Sequence, residues 1–224
     1  VRRYIAPLLI GLVGAGILVA LGLWQLQRLA WKEAILDEIE TRIHAAPTAI
    51  PAVPDPARDQ YLPVRVTGTT GPRELDVLVS TRMLGPGFRI VTALETEDGR
   101  RLLLDRGFVP AEAKTTPRPP TVLEVTGNLH WPDERDRFTP DNDPASNYWY
   151  AREVDVLADV LGTEPVLVVA RATVPADPAI TPLPVDTAGI PNNHFGYAIQ
   201  WFGFAAVWLG MTALLLWRIS RRTP

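Results

Sequence analysis

Residues 195–217 read FGYAIQWFGFAAVWLGMTALLLW, 23 residues without a charge, and Arg218, Arg221 and Arg222 follow directly. A helix rises about 1.5 Å per residue, so this run reaches about 35 Å and can cross a hydrocarbon core of about 30 Å. The nearest basic residue before it is Arg171. The positive-inside rule therefore predicts that the C-terminus lies in the cytoplasm. Toward the other end, Ile5 to Leu26 is a second uncharged run, of 22 residues. Its flanks, Arg2 and Arg3 before it and Arg28 and Lys32 after it, are nearly balanced, so the C-terminal run sets the orientation. It is too long for a signal-peptide core and no small-x-small cleavage pattern follows it, which makes it an anchor. Two spans place both termini in the cytoplasm and everything between them outside.

The average composition of the 224 residues, 47% hydrophobic and 21% charged, hides this segregation. Outside the two runs, 179 residues carry all 47 charges. Residues 27–193 hold 17 basic and 25 acidic side chains, a balance that argues against a nucleic-acid partner. The chain has no cysteine. That excludes a disulfide scaffold, a zinc ribbon, an iron–sulfur cluster, covalently attached c-type haem and a thiolate copper carrier.

Between the spans, Leu29, Leu36, Ile39 and Ile43 recur at helical spacing and extend the first helix to about His44. Pro47, Pro51, Pro54 and Pro56 then form an extended linker. Strand patterns follow at Tyr61–Thr67, Val77–Thr81, Phe88–Leu94, Arg101–Val109, Val122–Leu129 and Val166–Ala172. Gly71-Pro72, Gly85-Pro86-Gly87, Asp98-Gly99 and Pro117–Pro120 read as turns, with Asp98-Gly99 a two-residue hairpin. One amphipathic helix is predicted over Arg152–Leu161 with Gly162 as its C-cap. The expected fold is a membrane protein in which two transmembrane α-helices flank a mainly antiparallel β (α+β) extracytoplasmic domain. Its predicted parts are an N-terminus at 1–4, a span at 5–26, a helical extension and linker at 27–60, and the β-rich domain at 61–174. A Pro-rich linker at 175–193, a span at 194–217 and a basic tail at 218–224 complete it.

His194 stands where the second span begins, and steps of three and four residues align it with Tyr197, Trp201, Phe204 and Trp208. Ionisable groups at a membrane boundary cost energy and tend to be functional. Two readings stay open. The imidazole could be an axial haem ligand with the rings packing on the macrocycle, or an interfacial histidine bonded to loop carbonyls within an ordinary aromatic belt. Arg28 and Lys32 would lie near it, either snorkelling to head groups or pairing with haem propionates. Gly196, Gly203 and Gly210 on the second span, and Gly11, Ala15 and Gly22 on the first, are small residues expected to pack the spans together. In the domain, Asp105 and Arg106 are expected to form a structural ion pair. Asp133, Glu134, Asp136, Asp141 and Asp143 lack the spacing of a calcium loop and read as a solvated acidic loop. Ser80, Ser146 and Ser220 sit in no nucleophile-elbow pattern, and no Gly-rich phosphate loop occurs.

Taken in order, several stretches resemble the Surfeit-locus (Surf/Shy) family of cytochrome c oxidase assembly factors. They are Gly22-Leu23-Trp24-Gln25 with Arg28 and Lys32, Tyr61–Gly68, Gly87–Leu94 and Leu104–Pro110. Phe138–Pro144 with Trp149 follows, and then Asn192-Asn193-His194-Phe195-Gly196-Tyr197-Ala198 with Trp201. The resemblance covers nearly the whole chain. Departures from the family pattern are Asp105 for Asn, Phe108 for Trp, Phe195 for Leu and Gln200 for Thr.

The resemblance implies a non-enzymatic role in building haem–copper oxidases when haem a enters the catalytic subunit. His194 would be the haem a ligand and metal site, supported by Trp201 and Tyr197, with Arg28 and Lys32 toward the propionates. The implied partners are the cytochrome c oxidase catalytic subunit, haem a synthase and the lipid bilayer. The implied location is a bacterial inner membrane with the central domain periplasmic, since no Arg-rich leader precedes the first span. Two alternatives stand beside this: a scaffold that stabilises the apo-subunit without touching haem, and a tethered periplasmic hydrolase. The hydrolase requires a domain pocket with a perturbed acid or histidine, for which only His130 qualifies.

Overall fold

The computed structural model describes residues 2–221. Residues 222–224, including the Arg222 used in the orientation argument, lie outside them. Two long helices, α1 (Arg2–Ile43) and α4 (His194–Arg221), are apolar and long enough to cross a membrane. The chain divides into two compact units, the helix pair and Ile39–Asp186.

Small residues build the helix pair. Gly11, Ala15, Gly22 and Gln25 form the buried seam of α1, and Ala198 and Ala205 are buried on α4. A Cβ on Gly22 would stand 2.6 Å from Phe202 Cε1, and one on Gly14 would stand 2.5 Å from Trp208 Nε1. Trp208 donates its indole N–H to the Gly11 carbonyl at 3.0 Å. Lipid offers no hydrophobic drive between helices, so close packing and polar contacts must hold such a pair together. The α4 glycines correct the expectation. Gly196, Gly203 and Gly210 have nothing within 4 Å of a would-be Cβ, because large α4 rings drop into gaps left by the α1 glycines.

The second unit is a closed five-stranded barrel. Its strands are β1 (Pro63–Thr81), β2 (Gly85–Thr96), β3 (Arg101–Pro110), β4 (Val122–Leu129) and β5 (Leu167–Val174), in the order β1-β2-β3-β5-β4. All ladders are antiparallel except β3–β5. One interior cluster draws on every strand, through Val64, Leu94, Leu104, Val125 and Val168 among others. A one-turn helix α2 (Pro56–Asp59) precedes the barrel. The helix α3 (Val154–Leu161) ends at Gly162 in the left-handed conformation and buries Leu157 against Leu75, Val77, Leu103 and Trp149.

Three turn expectations are corrected. Gly71-Pro72 is no turn but a register break inside β1, between Thr70 and Glu74. There a proline without an N–H costs no ladder bond. The strand pairs with β4 along Pro63–Thr69 and with β2 on both sides of the break, along Gly68–Thr70 and Glu74–Thr81, which closes the barrel. Gly85-Pro86-Gly87 opens β2, the chain reversal falling on residues 82–84. The Asp98-Gly99 hairpin has three loop residues, since Thr96 N–H donates to the Arg100 carbonyl. The strand-rich unit also exceeds residues 61–174 at both ends: Thr48 bridges to Val64 and Thr181 to Phe108.

Candidate functional site

His194 is the first residue of α4, and its ring is part-buried against α1. His194 Nδ1 lies 2.8 Å from Gln25 Oε1. A carbonyl oxygen only accepts, so Nδ1 carries the proton and donates it, and in the neutral ring Nε2 keeps its lone pair. Gln25 is only 9% exposed, on the same seam as Gly22. Close by in sequence, Asn192 Oδ1 is buried without a partner. An imidazole held through Nδ1–H with a bare Nε2 is the arrangement that ligating histidines use, so the donor chemistry fits an iron.

The other predicted residues are only partly gathered. Trp201 is half-buried two turns along α4 and meets Phe204 edge-on, with ring centroids 6.0 Å apart. Tyr197 and Phe204 are exposed while Trp208 enters the seam, so the expected single aromatic stripe is split between two faces. The Arg28 guanidinium lies over the Trp31 ring at 4.2 Å. Lys32 is seven residues beyond Gln25, which puts it on the same face about 10 Å along the helix. Sequence reasoning named Gln25 within the Gly22-Leu23-Trp24-Gln25 stretch and gave it no role of its own. The missed signal was an amide in register with Gly11, Ala15 and Gly22.

A second polar centre lies in the barrel unit. Asp105 on β3 is fully buried and accepts from Arg89 Nη1 at 2.7 Å and from Arg152 Nη1 at 3.0 Å. Arg152 also forks onto Glu134. Arg106 pairs instead with Glu74 and Asp177, which corrects the expected Asp105–Arg106 pair: neighbours on a strand point to opposite faces. Glu134 likewise leaves the acidic loop for this buried pairing, while Asp141 stays fully exposed. His130 stacks on Tyr61 and receives a hydrogen bond at Nδ1 from Gln60 Nε2 at 3.2 Å. Burial, and then the charge of Arg152, push its pKa down to about 4. A cavity of about 150 Å³ is lined by Arg89, His130, Arg152, Val169 and Pro184–Asp186. With Nδ1 accepting, this ring carries its proton on Nε2 and acts there as a donor. The lining includes no Ser, Thr, Cys or Lys to serve as a nucleophile.

Fold and site together define a membrane-anchored barrel protein whose second apolar helix opens with a tautomer-fixed histidine. The family model described as the SURF1 family matches residues 12–206, which include both Gln25 and His194, and the chain belongs to that family. It is 28% identical over 206 residues to human Surfeit locus protein 1, covering 81% of this chain and 68% of that protein. The rat Surfeit locus protein 1 is 31% identical, with 66% of its length covered. A SURF1-like protein of Monosiga brevicollis is 32% identical over 201 residues, with 76% covered. The chain thus spans about two thirds of the mammalian relatives' length.

Proposed function

We propose that this protein is an assembly factor for a haem–copper cytochrome c oxidase, and that it holds haem a through His194 before the cofactor enters the catalytic subunit. The observation that carries the reading is the bare Nε2 of His194, left free because Nδ1–H is spent on Gln25. Haem a, when bound, would supply an iron that takes a nitrogen ligand, two anionic propionates and a long apolar tail. His194 offers the nitrogen, and Tyr197 and Trp201 offer rings on the same helix. Arg28 and Lys32 offer the cations beyond Gln25. A single ligand from the protein favours onward transfer to a site that supplies more.

On this reading the role is binding rather than catalysis. Partners on this reading are the oxidase catalytic subunit and haem a synthase, met within the lipid bilayer. Arg218 and Arg221 at the end of α4 favour a cytoplasmic C-terminus, and on this reading the protein sits in a bacterial inner membrane with both termini cytoplasmic and the barrel periplasmic.

The test is an optical spectrum of detergent-purified protein co-expressed with the haem a biosynthetic enzymes, beside His194→Ala. A haem a band in the parent and its loss in the variant is expected. A colourless parent that still co-purifies with the catalytic subunit would leave a scaffold in place of a haem carrier.

A further inference from the structure

We propose that Gln25 is the positioning residue for His194: its amide carbonyl locks the imidazole in the Nδ1-protonated tautomer and so keeps Nε2 as the ligating atom. The inference rests on the reading of His194 as an iron ligand and adds a residue to that site.

Three observations support it. The partners are separated by 169 positions in sequence and meet at 2.8 Å. Gln25 is buried on a seam otherwise made of Gly11, Ala15 and Gly22, where a long polar side chain has no packing advantage. Gly22, one turn before it, lets Phe202 rest where a Cβ would intrude at 2.6 Å, so the seam is tight next to the pair. An unpaired amide on that buried seam would pay a desolvation cost. A neutral imidazole has one N–H and one lone pair, so the acceptor that claims the N–H decides which nitrogen remains for metal. A partner on the distal nitrogen also raises the basicity of the ligating one. A residue that only glued the helices together would need a hydrogen bond of either polarity. Positioning needs an acceptor.

That difference is testable in the full chain. Three proteins are compared: the parent, Gln25→Leu, which removes the acceptor, and Gln25→Glu, which keeps it and adds charge. The first readout is ¹⁵N NMR of ring-labelled histidine in detergent, without haem. The parent is expected to show a protonated Nδ1 and a bare Nε2 at His194, and Gln25→Leu to lose that preference. The second readout is haem a titration with resonance Raman of the ferrous iron–histidine stretch. Gln25→Leu is expected to bind about 10–100-fold more weakly. Gln25→Glu is expected to restore binding and raise the stretching frequency. Circular dichroism confirms that each variant retains its helices.

An Nε2-protonated His194 in the parent, or a Gln25→Leu protein with full haem affinity and an unshifted stretch, would overturn the proposal. A parent with the expected tautomer but no affinity for haem a would instead remove the haem reading and leave the positioning intact. The two failures are therefore distinct.

Discussion

His130 and His194 each hold a glutamine amide at Nδ1, and the two pairs have opposite polarity. In the barrel unit, Gln60 has its oxygen committed to the Trp131 backbone N–H at 2.9 Å, so its NH₂ group must face His130 and donate. In the helix pair, Gln25 turns its oxygen to His194 and accepts. The first ring is left with a proton on Nε2 and the second with a lone pair there. Residue types alone do not separate the two histidines. What separates them is which end of the amide faces the ring.

The largest expected effect comes from breaking the surroundings of His130. Asp105→Ala leaves Arg89 and Arg152 buried against too little negative charge, and should cost about 3–5 kcal/mol in denaturant unfolding of the barrel unit. If the folded variant keeps the His194 ring signals of the parent in histidine NMR, the two histidine environments are independent.

A pH series comes next. His130 titrates near 4 in the folded protein against an ordinary value of 6.5. Between those values the unfolded chain binds a proton that the folded one refuses. Stability is therefore full above pH 6.5 and falls as pH drops toward 4, by about 3 kcal/mol from this group. A His130→Phe protein should show a flatter profile over that window. An unchanged slope in urea midpoints would refute the account.

The smallest effect should come from the helix seam. Gly22→Leu pushes a side chain into Phe202 and should cost about 1–3 kcal/mol. Its sharper readout is histidine NMR: separating the helices should release His194 from Gln25 while His130 keeps its signal.

The two apolar helices and most strands were legible because their patterns are long and local. Gly71-Pro72 was misread because a bulge and a turn use the same residues, and only the β2 ladder, which resumes beyond the break, distinguishes them. Asp105 and Arg106 looked like a pair because adjacency in sequence was taken for adjacency in space. Glu134 resembled its acidic neighbours, and only the approach of Arg152 from 18 residues away makes it different. His194 stood out as an ionisable group at a membrane edge. Gln25 did not, since its importance depends on a partner 169 positions distant.

The straps that cross the barrel limit how it can meet other proteins. Trp149 exchanges backbone hydrogen bonds with Asp76 and Leu78 alongside β1, and Thr181 does the same with Phe108 alongside β3, where each strand runs past its barrel neighbour. A partner that docks by donating a strand needs a vacant row of N–H and C=O groups, and at Asp76, Leu78 and Phe108 those groups are taken. Recruitment by β-augmentation there would first have to peel a strap away. The barrel is thus better suited to recognition through side chains, and is protected from pairing with its own copies along those edges in a crowded compartment.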